Sequence, residues 1–352
     1  MIGIPYNPAV TIFLLSQSLN ASQFNPNVPD TGNKTTHNLL FDTNTSTLIW
    51  VDTKTNLIVQ ETATGGGGPS NAVILAGGGT GSSYRCGNSN SASGQGSAVS
   101  GGCLNSASAT YSTIPGGYNN IVNKQFATVG GGEMNTGSGY WSSVSGGLCN
   151  TASSDFANVS GGYINVASGG CSSIGGGASN SASGYLSSVG GGTNNISSAS
   201  SSTVSGGSGN VASDVFSTVA GGRNNISGWS FSFIGGGDCN SSLGSRSTVS
   251  GGLCNTASGY YSFVGGGNRN IASTSSSTVS GGFGNIASGT YSTVSGGYFN
   301  TASAVNSTVG GGRQNTASSN YSTISGGYLN TASGMYSFIG GGLNNNATNE
   351  YS

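Results

Sequence analysis

An asparagine occupies every fifteenth position of this chain from residue 90 to residue 345. No insertion or deletion interrupts the series, so the repeat length is fixed. A period held this strictly indicates that each repeat forms one structural coil stacked on the previous one. The sequence therefore predicts an all-β fold, a parallel β-roll or solenoid of 15-residue coils. The eighteen positions are Asn90, Asn105, Asn120, Asn135, Asn150, Asn165, Asn180, Asn195, Asn210, Asn225, Asn240, Asn255, Asn270, Asn285, Asn300, Asn315, Asn330 and Asn345.

Two further columns of the repeat predict two short strands in each coil. Val144 belongs to a column that is Val or Ile in all seventeen coils over residues 99–339, with Ser or Thr commonly beside it. Such alternation is typical of a strand with one buried face. Ala152 marks a smaller column, which we interpret as the inward residue of a second strand. The pair Gly146–Gly147 lies between the strands and permits the chain to reverse, and a weaker corner falls near Gly139.

The asparagine column has a structural interpretation. Side-chain amides stacked in register can hydrogen-bond to their copies in adjacent coils and to the backbone of a tight corner. Such bonds satisfy backbone groups that the corner would otherwise leave unpaired. We therefore expect the asparagines to brace the corners rather than to bind a ligand.

An aromatic column lies three residues before the valine column. Eleven of eighteen coils are aromatic there, whereas Gly96, Ser201, Arg246 and Asn306 stand in others. A column that accepts arginine is not a sealed core. It could pack against a neighbouring chain or stack on sugar rings, and packing is favoured because aromatic residues dominate interface area. The candidate contact column is Tyr111, Phe126, Trp141, Phe156, Phe216, Phe231, Tyr261, Tyr291, Tyr321 and Tyr336, with Tyr351 after it.

The predicted core of one coil is thin, because it holds one Val or Ile and one Ala. Full burial of a valine contributes about 1.5–3 kcal/mol. Ordering the backbone costs about 1–2 kcal/mol for each residue of the coil. We therefore expect the chain to associate with copies of itself.

The repeat resembles a known family. The segment Ser292–Ser303 reads Ser-Thr-Val-Ser-Gly-Gly-Tyr-Phe-Asn-Thr-Ala-Ser. This motif and its variants, from Tyr84 to Ser352, resemble the head repeats of YadA-type trimeric autotransporter adhesins. The resemblance implies a homotrimer of left-handed β-rolls with about one coil per repeat. The chain departs from the family at Gly131 and Gly146, where a second aliphatic residue is usual.

The first part of the chain differs in composition. Residues 1–64 contain strand-like runs that predict a small β-meander, interpreted as an attachment or assembly module. The meander has a limited likeness to segments of phage and viral fibre proteins. Residues 65–83 form a predicted Gly-rich hinge and lead-in, and residues 84–352 a roll of about 18 coils.

The composition argues against several functional classes. Charged residues make up 5% of the chain and no basic stripe exists, so no nucleic-acid partner is predicted. No run is long and apolar enough to predict membrane insertion. Acidic residues of the repeats do not pair across adjacent coils, as glycoside cleavage requires. We predict no catalytic residues, no cofactor and no metal site, and therefore no enzyme.

Cys239 and Cys254 fill equivalent positions of adjacent coils, as small packing residues or as a disulfide.

These patterns favour a structural or adhesive fibre. Because the N-terminus carries no basic segment typical of a signal peptide, we expect a virion or phage surface fibre, extracellular and trimeric, that could join end to end as a filament. A bacterial cell-surface adhesin head is the alternative. An ice-binding solenoid is a lesser one, because rows such as Thr248 and Ser250 align hydroxyl groups. A host-surface glycan or protein is the expected receptor.

Overall fold

The computed structural model describes residues 89–352 and six short strands before them. The predicted hinge at Gly65–Gly68 and Cys86 lie outside the described residues. The chain divides into two compact units, Met1–Met134 and Asn135–Ser352, and each is described by itself. Every element in the described residues is a β-strand or a β-bridge. The six early strands are β1 (Thr11–Ile12), β2 (His37–Asp42), β3 (Thr47–Asp52), β4 (Ile58–Ala63), β5 (Ile74–Ala76) and β6 (Ser83–Arg85).

The early strands of the first unit include the predicted meander. Strands β2 and β3 are antiparallel neighbours, with Leu39 opposite Trp50. Strand β4 continues the meander as an antiparallel neighbour of β3. Strand β6 pairs in parallel with the first repeat strand of its type, so that Tyr84 stands opposite Val99. Tyr84 therefore occupies the register of the valine column.

Each coil contributes two strands of two residues, which form two parallel ladders within each unit. The alanine ladder comprises Ser91–Ala92, Ser106–Ala107 and Ile121–Val122 in the first unit, then Thr136–Gly137, Thr151–Ala152, Val166–Ala167, Ser181–Ala182, Ile196–Ser197, Val211–Ala212, Ile226–Ser227, Ser241–Ser242, Thr256–Ala257, Ile271–Ala272, Ile286–Ala287, Thr301–Ala302, Thr316–Ala317, Thr331–Ala332 and Asn346–Ala347 in the second. The valine ladder comprises Ala98–Val99, Thr113–Ile114 and Thr128–Val129, then Ser143–Val144, Asn158–Val159, Ser173–Ile174, Ser188–Val189, Thr203–Val204, Thr218–Val219, Phe233–Ile234, Thr248–Val249, Phe263–Val264, Thr278–Val279, Thr293–Val294, Thr308–Val309, Thr323–Ile324 and Phe338–Ile339.

The predicted fold class is confirmed as an all-β parallel solenoid of about 17 turns. The structure adds a third ladder that the sequence did not reveal. In most coils the residue directly after the glycine pair forms a single-residue parallel bridge to its copy in the next coil, as Tyr163 does with Ala178. A coil therefore has three paired segments rather than two.

The core consists of columns one residue wide. Val204 and Ala212 are fully buried, and their counterparts above and below pair with them in register. Because side chains alternate across a strand, Thr203 points outward while Val204 points inward. Each coil thus buries little apolar area, as the sequence predicts.

The asparagine brace is confirmed, and Asn195 shows its geometry. Its Nδ2 donates to the carbonyl of Gly191 in its own coil at 2.8 Å and to that of Gly207 in the next coil at 2.9 Å. Its Oδ1 accepts the backbone N–H of Asn210 at 3.0 Å. The side chain is fully buried. An amide is suited to this position because it supplies two donors and one acceptor on the same terminal group.

A second buried polar column lies at the opposite corner and braces it in many coils, although the hydroxyl groups of Ser97, Ser172, Ser187 and Ser262 have no hydrogen-bond partner among the described residues; the sequence analysis missed this column. The position two residues before each valine is a buried serine in all coils but two, where Ala127 and Ala157 replace it. Ser202 donates to the carbonyl of Ala199 at 2.7 Å and accepts the N–H of that residue. At Ser197 a serine replaces alanine in the alanine ladder, and its hydroxyl group hydrogen-bonds to the hydroxyl group of Ser202 at 2.7 Å.

The two glycines of each pair have different roles. Gly207 has φ near 92°, and an added Cβ would lie 2.1 Å from the carbonyl oxygen of Gly222 and 2.6 Å from Nδ2 of Asn210. No heavy atom lies within 4 Å of a Cβ built on Gly206. Only the second glycine is therefore required by the close approach of successive coils.

The brace predicts a contrast between two adjacent asparagines. Asn195→Asp would place an acceptor, charged at neutral pH, against the carbonyls of Gly191 and Gly207, and should cost about 3–5 kcal/mol. Asn194 is exposed, so Asn194→Asp should change stability by less than about 0.5 kcal/mol. Burial raises the folded-state pKa of the new carboxyl group at position 195. Its penalty should therefore grow as pH rises above about 4, the unfolded value. Chemical denaturation between pH 3 and 8 measures both variants; equal losses would contradict the brace.

The glycine pair gives a second contrast. Gly207→Ala should destabilise the coil by about 2–4 kcal/mol, because the methyl group meets the adjacent backbone and positive φ disfavours alanine. Gly206→Ala should cost less than about 1 kcal/mol. Urea denaturation of the two variants tests this difference, and a larger loss at Gly206 would argue against the assigned corner geometry.

Candidate functional site

The predicted contact column lies in the tight turn that joins the alanine ladder to the valine ladder. All ten residues have left-handed backbone, with φ between 54° and 60°. This conformation is unfavourable for residues with a Cβ. The left-handed conformation directs the backbone N–H of each residue toward the preceding coil. The N–H of Phe231, for example, donates to the carbonyl of Val215 in that coil at 3.0 Å. The bond between coils offsets part of the backbone cost.

The column is a surface feature rather than core. Nine of its ten members are exposed, and Phe126 is half-buried. Several adjacent rings stack face to face: the ring centroids of Phe216 and Phe231 are 5.0 Å apart, and those of Tyr321 and Tyr336 are 4.9 Å apart. These stacks join coils of the same chain, and packing of the column against a neighbouring chain stays a prediction.

Arg246 extends one of these stacks. Its Cζ lies 5.5 Å from the ring centroid of Phe231 and 5.3 Å from that of Tyr261. The guanidinium thus takes the place of a ring between two aromatic side chains, a favourable cation–π arrangement. We call Phe216, Phe231, Arg246 and Tyr261 the Arg246 stack.

The hydrogen bonds of Arg246 use one of its terminal nitrogens. Its Nη1 donates to the hydroxyl oxygen of Tyr260 at 2.6 Å and of Tyr261 at 3.0 Å. The hydrogen bond with Tyr261, followed by the positive charge of Arg246, lowers the pKa of Tyr260. The charge and hydroxyl groups of these tyrosines in turn raise the pKa of Arg246. Its Nε and Nη2 have no partner among the described residues.

A second stack, on the bridge ladder, was missed by the sequence analysis. Phe283 and Tyr298 stack at 5.2 Å, and Arg313 lies between Tyr298 and Tyr328, with Cζ 5.4 Å and 5.2 Å from their centroids. Phe299 meets both Phe283 and Tyr298 edge-on. The recurrent Gly-Gly-Tyr sequence, as at Gly296–Tyr298, is the signal that could have revealed this column.

The bridge ladder also carries an ion pair between two adjacent coils. Arg223 binds Asp238 of the next coil through both Nε and Nη2, with the Nε–Oδ1 distance 3.2 Å. This contact lowers the pKa of Asp238. The adjacent Cys239 and Cys254 are free thiols, so no disulfide joins them in this structure. A hydrogen bond to Asp238, followed by desolvation, raises the pKa of Cys239.

The hydroxyl row that motivated the ice-binding alternative lies on the outer face of the valine ladder. Thr248 and Thr278 point outward there. Phe233, Phe263 and Phe338 occupy the same column, and their rings are 40%, 37% and 60% exposed. A flat array of hydroxyl groups is therefore interrupted at three levels.

A search of the described residues finds no group of three His, Cys, Asp or Glu side chains placed to hold a metal ion. The same residues include no helix with the length and hydropathy of a membrane span.

Comparison with protein families identifies one match. Residues 277–289 match the model of the ubiquitous surface protein adhesin repeat. The segment contains one residue of each buried column, namely Ser277, Val279, Asn285 and Ala287, together with the pair Gly281–Gly282. The match supports the resemblance to YadA-type head repeats. The chain therefore carries adhesin-type repeats. A search of the curated proteins finds no match.

The exposed position of the aromatic column predicts tolerance to substitution. Tyr336→Asn should change the free energy of unfolding by less than about 1 kcal/mol, because lost stacking is offset by the ease with which Asn adopts positive φ. Asn306 already occupies this column with φ of 56°. Ile324→Ala, in the buried valine column, should cost about 2–4 kcal/mol. Equal losses in urea denaturation would mean that Tyr336 packs as a core residue.

Proposed function

We propose that this chain is the head-repeat region of a bacterial trimeric surface adhesin. The observation that carries the proposal is the adhesin-repeat match over residues 277–289, which includes every type of buried column. This match favours the adhesin over the virion or phage fibre, which the sequence alone placed first. In this role the coils provide a rigid support, and their outward columns provide the contact surface outside the cell.

The outer face of the alanine ladder supports self-association. Ile196, Ile226 and Ile271 point outward and are 40%, 42% and 36% exposed. Val211 lies between Ile196 and Ile226 in the same column. Outward aliphatic residues in successive coils form an apolar stripe, of the kind that marks protein interfaces. Because each coil buries so little inside, burial of this stripe between three copies would add substantially to stability.

Light scattering tests the trimer. The purified protein should have three times the chain mass of 34.4 kDa. Replacing Ile226 and Ile271 with Asp should dissociate it, because charges would be buried in the interface. Replacing Thr203 and Thr218, which point outward on the valine ladder, with Asp should leave the mass unchanged. A monomeric wild-type protein would contradict the trimer.

Adhesion requires a separate measurement. Beads coated with the protein should adhere to cultured cells or extracellular matrix more strongly than beads coated with albumin. Equal adherence of the two preparations across several surfaces would count against an adhesive role.

A further inference from the structure

The Arg246 stack combines a cation with flat apolar rings on an exposed turn. We propose that this stack is a binding site for a carboxylate-bearing saccharide, with the guanidinium of Arg246 holding the carboxylate and the outer rings packing against sugar rings. This inference rests on the proposed adhesive function and names a ligand class for it.

The positive charge of Arg246 is available to an external anion. Arg246 is exposed and forms no ion pair with a described residue. On the bridge ladder, Arg223 shows how a carboxylate binds an exposed guanidinium of this chain, because Asp238 contacts both its Nε and its Nη2. The corresponding nitrogens of Arg246, Nε and Nη2, have no partner among the described residues, because its hydrogen bonds to Tyr260 and Tyr261 use Nη1 alone. A two-pronged contact with a carboxylate is geometrically specific and strong.

The ends of the stack present ring faces. Phe216 is preceded in its column by Ser201, and Tyr261 is followed by Ser276. A serine is too small to cover the ring of Phe216, which is 50% exposed. Tyr261 is also 50% exposed, although Tyr260 meets it at an inclination of 67° with the ring centroids 4.2 Å apart. Three coil spacings separate Phe216 from Tyr261, about 14 Å at the spacing of about 4.8 Å between strands. This length suits a short oligosaccharide, whose apolar C–H faces pack on aromatic rings.

Neighbouring groups are consistent with a saccharide. Trp229 belongs to the same turn as Phe231 and is 55% exposed, which widens the aromatic surface. Asp214 is the nearby acid, but its Oδ1 accepts hydrogen bonds from the N–H of Val215 and the hydroxyl of Ser230. It lies two coils from Arg246, a distance that weakens its interaction through solvent.

An acidic saccharide explains both parts of the site. A neutral saccharide would use the rings but not the charge of Arg246. An acidic peptide would use the charge but has less need of the exposed rings of Phe216 and Tyr261. The combination of charge complementarity and ring faces therefore favours the saccharide.

Binding can be measured on the full chain by biolayer interferometry. The probes are immobilised hyaluronan hexasaccharide and 3′-sialyllactose, with neutral chitohexaose and hexaglutamate as comparisons. At least one acidic saccharide should bind. Arg246→Gln should weaken that binding at least tenfold, and Phe216→Ser or Tyr261→Ser several-fold. Arg269→Gln is the matched control, because Arg269 is exposed and lies outside the stack; it should weaken binding less than twofold. Circular dichroism checks that each variant is folded.

Three results would overturn the proposal: no binding of either acidic saccharide, equal weakening by Arg246→Gln and Arg269→Gln, or chitohexaose or hexaglutamate binding as tightly as the acidic saccharides. A trimeric, adherent wild-type protein that binds no acidic saccharide would leave the adhesin function intact and refute this site alone. A wild-type protein that binds an acidic saccharide but adheres no better than albumin would refute the adhesin function instead.

Discussion

The asparagine amide and the second glycine of each pair form the interaction on which the repeat depends. A Cβ on Gly192 would lie 2.1 Å from the carbonyl oxygen of Gly207 and 2.7 Å from Nδ2 of Asn195, so Asn195 reaches that carbonyl only because this glycine has no side chain. The same amide accepts the N–H of Asn210. An added or deleted residue would take the asparagine out of register with both partners and leave buried polar groups unpaired. The strict 15-residue period follows from this geometry.

Because inward positions are occupied by small residues of fixed type, the outward positions carry the variation. The aromatic turn column accepts phenylalanine, tyrosine, arginine and serine without a change in backbone, since its φ and its bond to the preceding coil are the same for each. The Arg246 stack arises where a cation replaces a ring in an otherwise continuous series. Variation of this kind alters the surface chemistry while the coil is retained.

The period, the valine and alanine columns and the asparagine brace could be predicted from the sequence because each is a fixed residue type at a fixed position. The third ladder could not, because its members range from Ala178 to Arg223 and share backbone pairing rather than side-chain type. The serine brace was concealed by the abundance of serine elsewhere. The Arg246 stack was only partly predictable: its column was identified, but the left-handed backbone that stacks its members is contrary to the usual preference of aromatic residues.

The thin apolar core is supplemented by buried polar side chains. Asn195 and Ser202 are as fully buried as Val204, and each saturates two or more polar groups of the backbone. The asparagine hydrogen bonds recur along the ladder and the serine bonds add to them in many coils, so they supply stabilisation that a larger apolar core would provide elsewhere. The proposed association would then matter less for the folding of a coil than for covering the outward stripe at Ile196 and Ile226. A trimer that buries this stripe would leave the turn column, on another part of the coil, free to contact a ligand.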